Sequence, residues 1–435
     1  MISIVNKYCV VAILLSISFQ GFAQANFQDM SSGQGMFSLE NAWSVAVADY
    51  DNDGDDDIYV TSIMGNAGNK LYKNTGNFGF VEVSQQAGLN LIDNSRVAAW
   101  FDSDNDGWLD ILIGNSAQLR FFKNNHDGTF SEVTTGGFPM VSTPNALMVG
   151  DLNGDQWLDV YCNNFLSPNQ LLVNISGNQF KDGIVGSGAE SSRHSMAGVL
   201  FDYDHDGDLD IYLSFDGNDG NILFQNNGAR TFQDVTAATN LTLKANSMGV
   251  ALADFNNDRN YDLYITNLFD NSLFLSQPNG TYSSQAIAAG VNDYGMTWGT
   301  IGFDYDNDGL MDIYMVNAYG FSPYPNKLYH NNGDNTFTDK AAGTLLEVKK
   351  NGYGCAYGDF DSDGKLDIVI GNSNTGGVSL FRNNETAGNW IKLNLVGTTS
   401  NKFAVGAHVD AITSGKVVMN DVTVGSSYVS QNTYT

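Results

Sequence analysis

One nine-residue phrase governs what this chain can fold into. Asp49–Asp57 reads DYDNDGDDD, with acidic residues at its first, third, fifth and ninth places and a glycine at the sixth. It returns as DSDNDGWLD from Asp102, DLNGDQWLD from Asp151, DYDHDGDLD from Asp202, DFNNDRNYD from Asp254, DYDNDGLMD from Asp304 and DFDSDGKLD from Asp359. The first aspartates are 53, 49, 51, 52, 50 and 55 residues apart. A steady period near fifty is the mark of a repeat architecture, in which each unit buries its apolar face against its neighbours.

Each repeat has the same internal order. A run of small and apolar residues (WSVAVADY from Trp43, MGVALADF from Met248) leads into the acidic phrase. A β-branched run leaves it, such as DIYVTS from Asp57 or DIVIGN from Asp367. A third segment carries a Leu-aromatic pair, and an Asn/Gly turn suited to positive φ follows. A fourth opens on an aromatic with an acid two residues on, as in Phe80/Glu82 and Phe232/Asp234. Four antiparallel strands repeated seven times predict an all-β, seven-bladed β-propeller, with an acidic loop between the first and second strands of every blade. The seventh repeat lacks its fourth segment, whereas Asn26–Ser31 (NFQDMS) matches Thr231–Thr236 (TFQDVT). The N-terminal strand is therefore expected to complete the last blade and close the ring, which removes open sheet edges. The expected domains are a signal peptide over 1–25, the propeller over 26–388, and an incomplete β module over 389–435.

The acidic phrases predict metal sites. Calcium takes six to eight oxygen ligands, and closely spaced carboxylates supply them. The candidate ligands are Asp49, Asp51, Asp53 and Asp57; Asp102, Asp104, Asp106 and Asp110; Asp151, Asn153, Asp155 and Asp159; Asp202, Asp204, Asp206 and Asp210; Asp254, Asn256, Asp258 and Asp262; Asp304, Asp306, Asp308 and Asp312; and Asp359, Asp361, Asp363 and Asp367. An EF-hand would need a bidentate Glu at the twelfth place. Val60, Ile113, Cys162, Leu213, Ile265, Met315 and Ile370 stand there instead. Up to seven Ca²⁺ are expected. The third and fifth sites should be weakest, because Asn153 and Asn256 replace a carboxylate and Gln156 and Arg259 replace the glycine. A side chain forced to positive φ costs about 1 kcal/mol.

These residues carry a resemblance. The repeated phrase resembles the FG-GAP/VCBS repeats of integrin α-subunit propellers. The tail, with Leu395-Val396-Gly397, Gly406-Ala407-His408-Val409 and Gly425-Ser426-Ser427-Tyr428-Val429-Ser430-Gln431, is similar to the ASPIC/UnbV module. Together they resemble the cartilage acidic protein family and its secreted bacterial relatives. The resemblance implies a calcium-stabilised extracellular propeller used for binding.

Composition narrows the partners. The formal charge is −28, and well over half of the 48 acidic residues lie within the seven phrases. Such a surface repels nucleic acid and anionic lipid, so neither is an expected partner. Lys7, an apolar run over Tyr8–Phe19 and Ala23-Gln24-Ala25 read as an export signal cleaved after Ala23 or Ala25. The mature chain is then expected to be secreted, at the cell surface or in the periplasm, with no membrane insertion. Cys162 and Cys355, four repeats apart, read as free thiols. A binding role for an extracellular glycan or protein, as in adhesion, is the favoured function. Its candidate platform is a ring of large residues six to eight places before the loops, at the far end of the first strands: Trp43, Arg96, His194, Trp298 and Tyr353; the alternative is that these residues only pack neighbouring blades together. The competing class is a polysaccharide lyase or hydrolase, which would need a His/Tyr/Arg cluster or paired carboxylates outside the loops. The five histidines are scattered, and no catalytic residue is assigned.

Overall fold

The computed structural model describes residues 24–434, apart from 35, 37–38, 64–67, 135–142, 178, 218, 229, 375, 387 and 413–415. Of the expected leader, all but Gln24 and Ala25 lies outside the described residues.

Strand composition tracks distance from the ring axis. The innermost strands are Ala42–Ala48, Ser95–Phe101, Pro144–Gly150, Ser195–Phe201, Ser247–Ala253, Thr297–Phe303 and Asn351–Gly358. They are buried along nearly their whole length, which is why they carry small and apolar residues instead of an alternating pattern. The outermost strands, such as Phe80–Glu82 and Phe232–Asp234, bury the aromatic and expose the next two residues, as short strands at an outer sheet edge do. Blades two to six are four-stranded antiparallel sheets in chain order, and blades one and seven each add a strand from a chain terminus. Apolar side chains fill the space between neighbouring blades; Val45, Ile58 and Tyr72 of blade one meet Ala356, Val369 and Leu380 of blade seven.

The ring closes as expected. Phe27–Asp29 is the fourth strand of blade seven, antiparallel to Gly377–Asn383, with Phe27 opposite Asn383 and Asp29 opposite Phe381. Cys162 and Cys355 are buried free thiols. The C-terminal segment forms the expected extra β module, packed on the propeller itself. It lies across the acidic-loop side and then enters the central channel, where Ser430–Gln431 adds to blade one as a parallel fifth strand.

Removing Asn26–Ser31 uncovers an edge of blade seven and takes away Phe27, which is buried against Tyr305. Loss of one buried Phe costs about 3–5 kcal/mol, so the melting temperature is expected to fall by roughly 5 °C in a thermal scan. An unchanged melting point would contradict the closure.

Candidate functional site

The seven acidic loops share one hydrogen-bond scheme. The first aspartate accepts the backbone N–H of the fifth and sixth residues at 2.7–3.2 Å; Asp49 takes those of Asp53 and Gly54, and Asp151 those of Asp155 and Gln156. The sixth residue is left-handed throughout, including Gln156 (φ 76°) and Arg259 (φ 70°), so the expected backbone strain is present at both. The fourth is left-handed too, from Asn52 (φ 58°) to Ser362 (φ 56°).

The ninth aspartate works differently. Asp57, Asp110, Asp159, Asp210, Asp262, Asp312 and Asp367 are all buried. One carboxylate oxygen accepts the N–H of the loop's second residue, and the other accepts the N–H at the end of the third strand. This residue therefore staples the loop to its blade. The first, third and fifth carboxylates instead converge on each other: in loops one, two, four and six they offer oxygens within 4.8 Å of one another. One oxygen each of Asp51, Asp306 and Asp361 is buried with no hydrogen-bond donor. Every donor in these sets is oxygen, apart from His330 beside Asp306 and Asp312.

Burial is costly for these charges. Desolvation pushes Asp49, Asp102 and Asp304 up to about 6. It carries Asp159 and Asp312 to about 7 and Asp210 to about 8. Neighbouring carboxylates add to the rise in each loop, while backbone N–H groups oppose it.

A second set of residues was overlooked in the sequence, where it looked like turn chemistry only. The third strand ends on Asn74, Asn124, Asn174, Asn226, Asn331 or Asn383 in six blades. Each side-chain amide donates to the carbonyl of the second residue in the preceding blade's loop, as Asn124 does to Tyr50 (2.9 Å) and Asn74 to Phe360 (2.9 Å). Blade five has Ser276 at this place. The recurrence of Asn was the available signal; its cross-blade partner was not visible.

The expected ligand platform is occupied by the chain itself. Trp43 and Tyr353 stack at 3.7 Å and are buried, and Trp298 is half-buried 5.0 Å from Tyr353. Tyr428, at the tip of the channel segment, lies 5.0 Å from Trp298 and 6.4 Å from Trp43. Arg96 sits over Trp43 and donates to Asn145. Only His194 of the five is exposed, beside Phe165. The residues converge, but four of them close around Tyr428 and form no open rim. The physical reason is the tail. Val424 bridges Val149, Ser427 bonds Val250 and Thr300, Gln431 bonds Trp100 through both ends of its amide, and Asn432 bonds Tyr357. With the strand added at Val45–Ala46, six of the seven innermost strands are tied to one segment.

On the loop side the tail forms a hairpin, His408–Ile412 with Val417–Asp421. Arg259, the residue in place of glycine in loop five, pairs with Asp410 at 2.5 Å. His408 bridges Asp421 (2.7 Å) and Asp410 (3.2 Å). An open cleft of about 320 Å³ lies between blades one and two, lined by Tyr50, Lys73, Gln86, Trp108, His126 and Asp127. The Trp108 and His126 rings stack at 4.8 Å and 14°.

Seven blades of four antiparallel strands, with an acidic loop at one corner of each, define a seven-bladed β-propeller built from one repeated unit. The chain belongs to the FG-GAP-like repeat family, which matches it over residues 49–113, 102–162, 151–213, 202–265 and 304–370. Residues 397–435 match the family described as ASPIC and UnbV, and that span includes the channel segment. Cartilage acidic protein 1 of Xenopus tropicalis is 26% identical over 410 residues, covering 84% of this chain and 63% of that protein. The mouse protein of the same name is 32% identical over 203 residues, covering 44% of this chain and 31% of its own length. The chain thus spans under two thirds of the length of these relatives. Among solved structures, BBS1N in complex with ARL6DN superposes with a TM-score of 0.52 at 10% identity, covering 84% of this chain and 97% of that one, a likeness of fold. No helix among the described residues is long and apolar enough to cross a membrane.

Two outcomes are expected. Carboxyl groups raised above the ordinary value of 3.8 favour the fold when protonated, and that contribution is lost as pH climbs through their folded values of about 6 to 8. In chelator, the melting temperature should therefore fall between about pH 5 and pH 8 in a calorimetric series; a rise over that window would contradict the electrostatics. Tyr428→Ala empties a buried aromatic site that joins blades one and six, and should cost about 3 kcal/mol or more in urea unfolding.

Proposed function

We propose that this protein is a secreted, calcium-loaded propeller that acts as a binding scaffold for an extracellular glycan or protein. The observation that carries the calcium assignment is the orphaned oxygen on each of Asp51, Asp306 and Asp361, since a buried carboxylate oxygen without a donor invites a cation. The first, third and fifth residues of each loop would hold the ion. An oxygen-rich set of this kind suits a hard cation. Bound Ca²⁺ would supply charge neutralisation at the blade corners, and the loops would stiffen accordingly. Export would remove residues 1–23, a cut that keeps Ala25, which is buried.

With the channel filled, the binding surface falls to the cleft between blades one and two. Its parallel Trp108–His126 pair and flanking Lys73, Gln86 and Asp127 combine an aromatic wall with hydrogen-bonding groups, the composition expected of a site for sugars or polar peptide segments. The seventh loop residue is an aromatic in only two repeats, Trp108 and Trp157, and only Trp108 faces a turn that carries a histidine.

A glycan and protein array probed with the calcium-loaded chain tests this. Trp108→Ala should lower binding to an array hit by tenfold or more, as loss of an aromatic anchor does, with the melting temperature preserved. Unchanged binding would place the function elsewhere.

A further inference from the structure

The third strand carries a variable residue just before its terminal Asn or Ser, and in five blades that residue contacts the loop of its own blade. Lys73 pairs with Asp51 and, at 3.1 Å, with Asp53. Lys123 reaches Asp104 (2.8 Å) and Asp110 (2.9 Å). Arg382 reaches Asp361 (2.5 Å). In blade four Gln225 donates to Asp204 at 2.5 Å, and in blade six His330 lies 3.5 Å from Asp306 and 3.3 Å from Asp312. The two remaining blades have Val173 and Leu275, both buried and apolar. They are the two blades whose third loop residue is Asn153 or Asn256 instead of aspartate.

The two substitutions therefore travel together within one chain. Where the third residue is a carboxylate, the strand supplies a cation or a polar donor. Where it is an amide, the strand supplies a hydrocarbon. In those loops the amide itself relieves the crowded acids, Asn153 donating to Asp159 (2.9 Å) and Asn256 to Asp258 (3.1 Å). Over the first, third, fifth and ninth places and the strand residue alone, the formal sum is then the same in loops one, two, three and five: four aspartates with one cation, or three aspartates with none, leave three net negative charges, whereas loop seven carries a further cation, Lys365, 2.8 Å from Asp363. The extra cation in loop five, Arg259, is matched outside the loop by Asp410.

We propose that the residue ahead of the terminal Asn or Ser of the third strand sets the charge at the ligand places of its loop, so that loops one and two, with the third carboxylate, and loops three and five, without it, present the same net charge to a divalent cation and bind it with similar strength. This rests on the calcium reading above. It replaces the expectation of two weak sites with one of matched sites, because affinity in carboxylate loops follows the number of ligand charges. Lys73, Lys123 and Arg382 act as positioning residues. They hold the third carboxylate when no metal is bound and weaken metal binding by their own charge. Loop four, with aspartates at all four of these places and the neutral Gln225, keeps one charge more than loops one and two and should bind more tightly than they do.

Terbium(III), a luminescent stand-in for calcium, tests this on the full chain. Trp108 is the seventh residue of loop two and can sensitise an ion bound there once Trp157 of loop three and Trp390, which packs on loop seven, are changed to Phe. In that background Lys123→Met should lower the melting temperature in chelator yet tighten terbium binding, and calcium competition, by about tenfold. Lys123→Arg should retain both original values. A lysine with a merely structural role would lower stability and leave affinity unchanged or reduced, and either affinity result overturns the proposal. If Lys123→Met does not fold, Asn153→Asp, read through Trp157 with Trp108 and Trp390 changed to Phe, should tighten loop three by about tenfold; no change there overturns the proposal equally. Absence of saturable sensitised emission in the background protein would remove the calcium reading itself, and this proposal with it.

Discussion

The structure depends on like charges held close together at the corners of its blades. Each loop gathers three to six carboxylates in one turn, and the ninth of its residues is buried outright. Like charges at such separations repel strongly where water is scarce. The backbone offsets part of that cost. The first aspartate receives two N–H groups from its own loop, and the ninth receives one from the loop and one from the third strand. The carboxylate that resists neutralisation by backbone is the third, and it is there that oxygens are left without donors or a side-chain cation arrives.

The same corners transmit order around the ring. An asparagine amide from each of six blades bonds the loop of the blade before it, so a loop that shifts loosens a neighbour. The C-terminal segment adds a second, axial connection. It reaches six innermost strands from within the channel and wedges Tyr428 between aromatic residues of blades one, six and seven. A propeller closed by a strand at its rim and by a plug at its axis resists opening from either end, and this moves any open binding surface outward to the clefts between blades.

Much of this was legible in the sequence for definite reasons. A fifty-residue period with turn residues at fixed offsets specifies blades. The match of Asn26–Ser31 to Thr231–Thr236 specifies the closing strand, because a strand that repeats elsewhere has the same pairing needs. The positive φ at Gln156 and Arg259 followed from the loop pattern alone. The tail was not legible in this way. Alternating Val, Thr and Ser suit a free-standing β module as well as a plug, and the motif Gly425–Gln431 does not reveal that its Tyr428 lies against Trp298, 130 positions earlier.

The sequence by itself determined the number of blades, the position of every acidic loop and the seam of the ring, since each is set by local hydrogen bonding and by alternation of apolar residues. Only the tertiary structure decided what faces the channel. Ring closure brings together side chains of blades one, six and seven that share no local pattern, and the packing of one tyrosine among them turns an expected open platform into a core. It likewise decided the destiny of each charge: Arg259, unfavourable in its own loop, finds Asp410 of the tail, and Lys73 finds Asp51, because folding places them there.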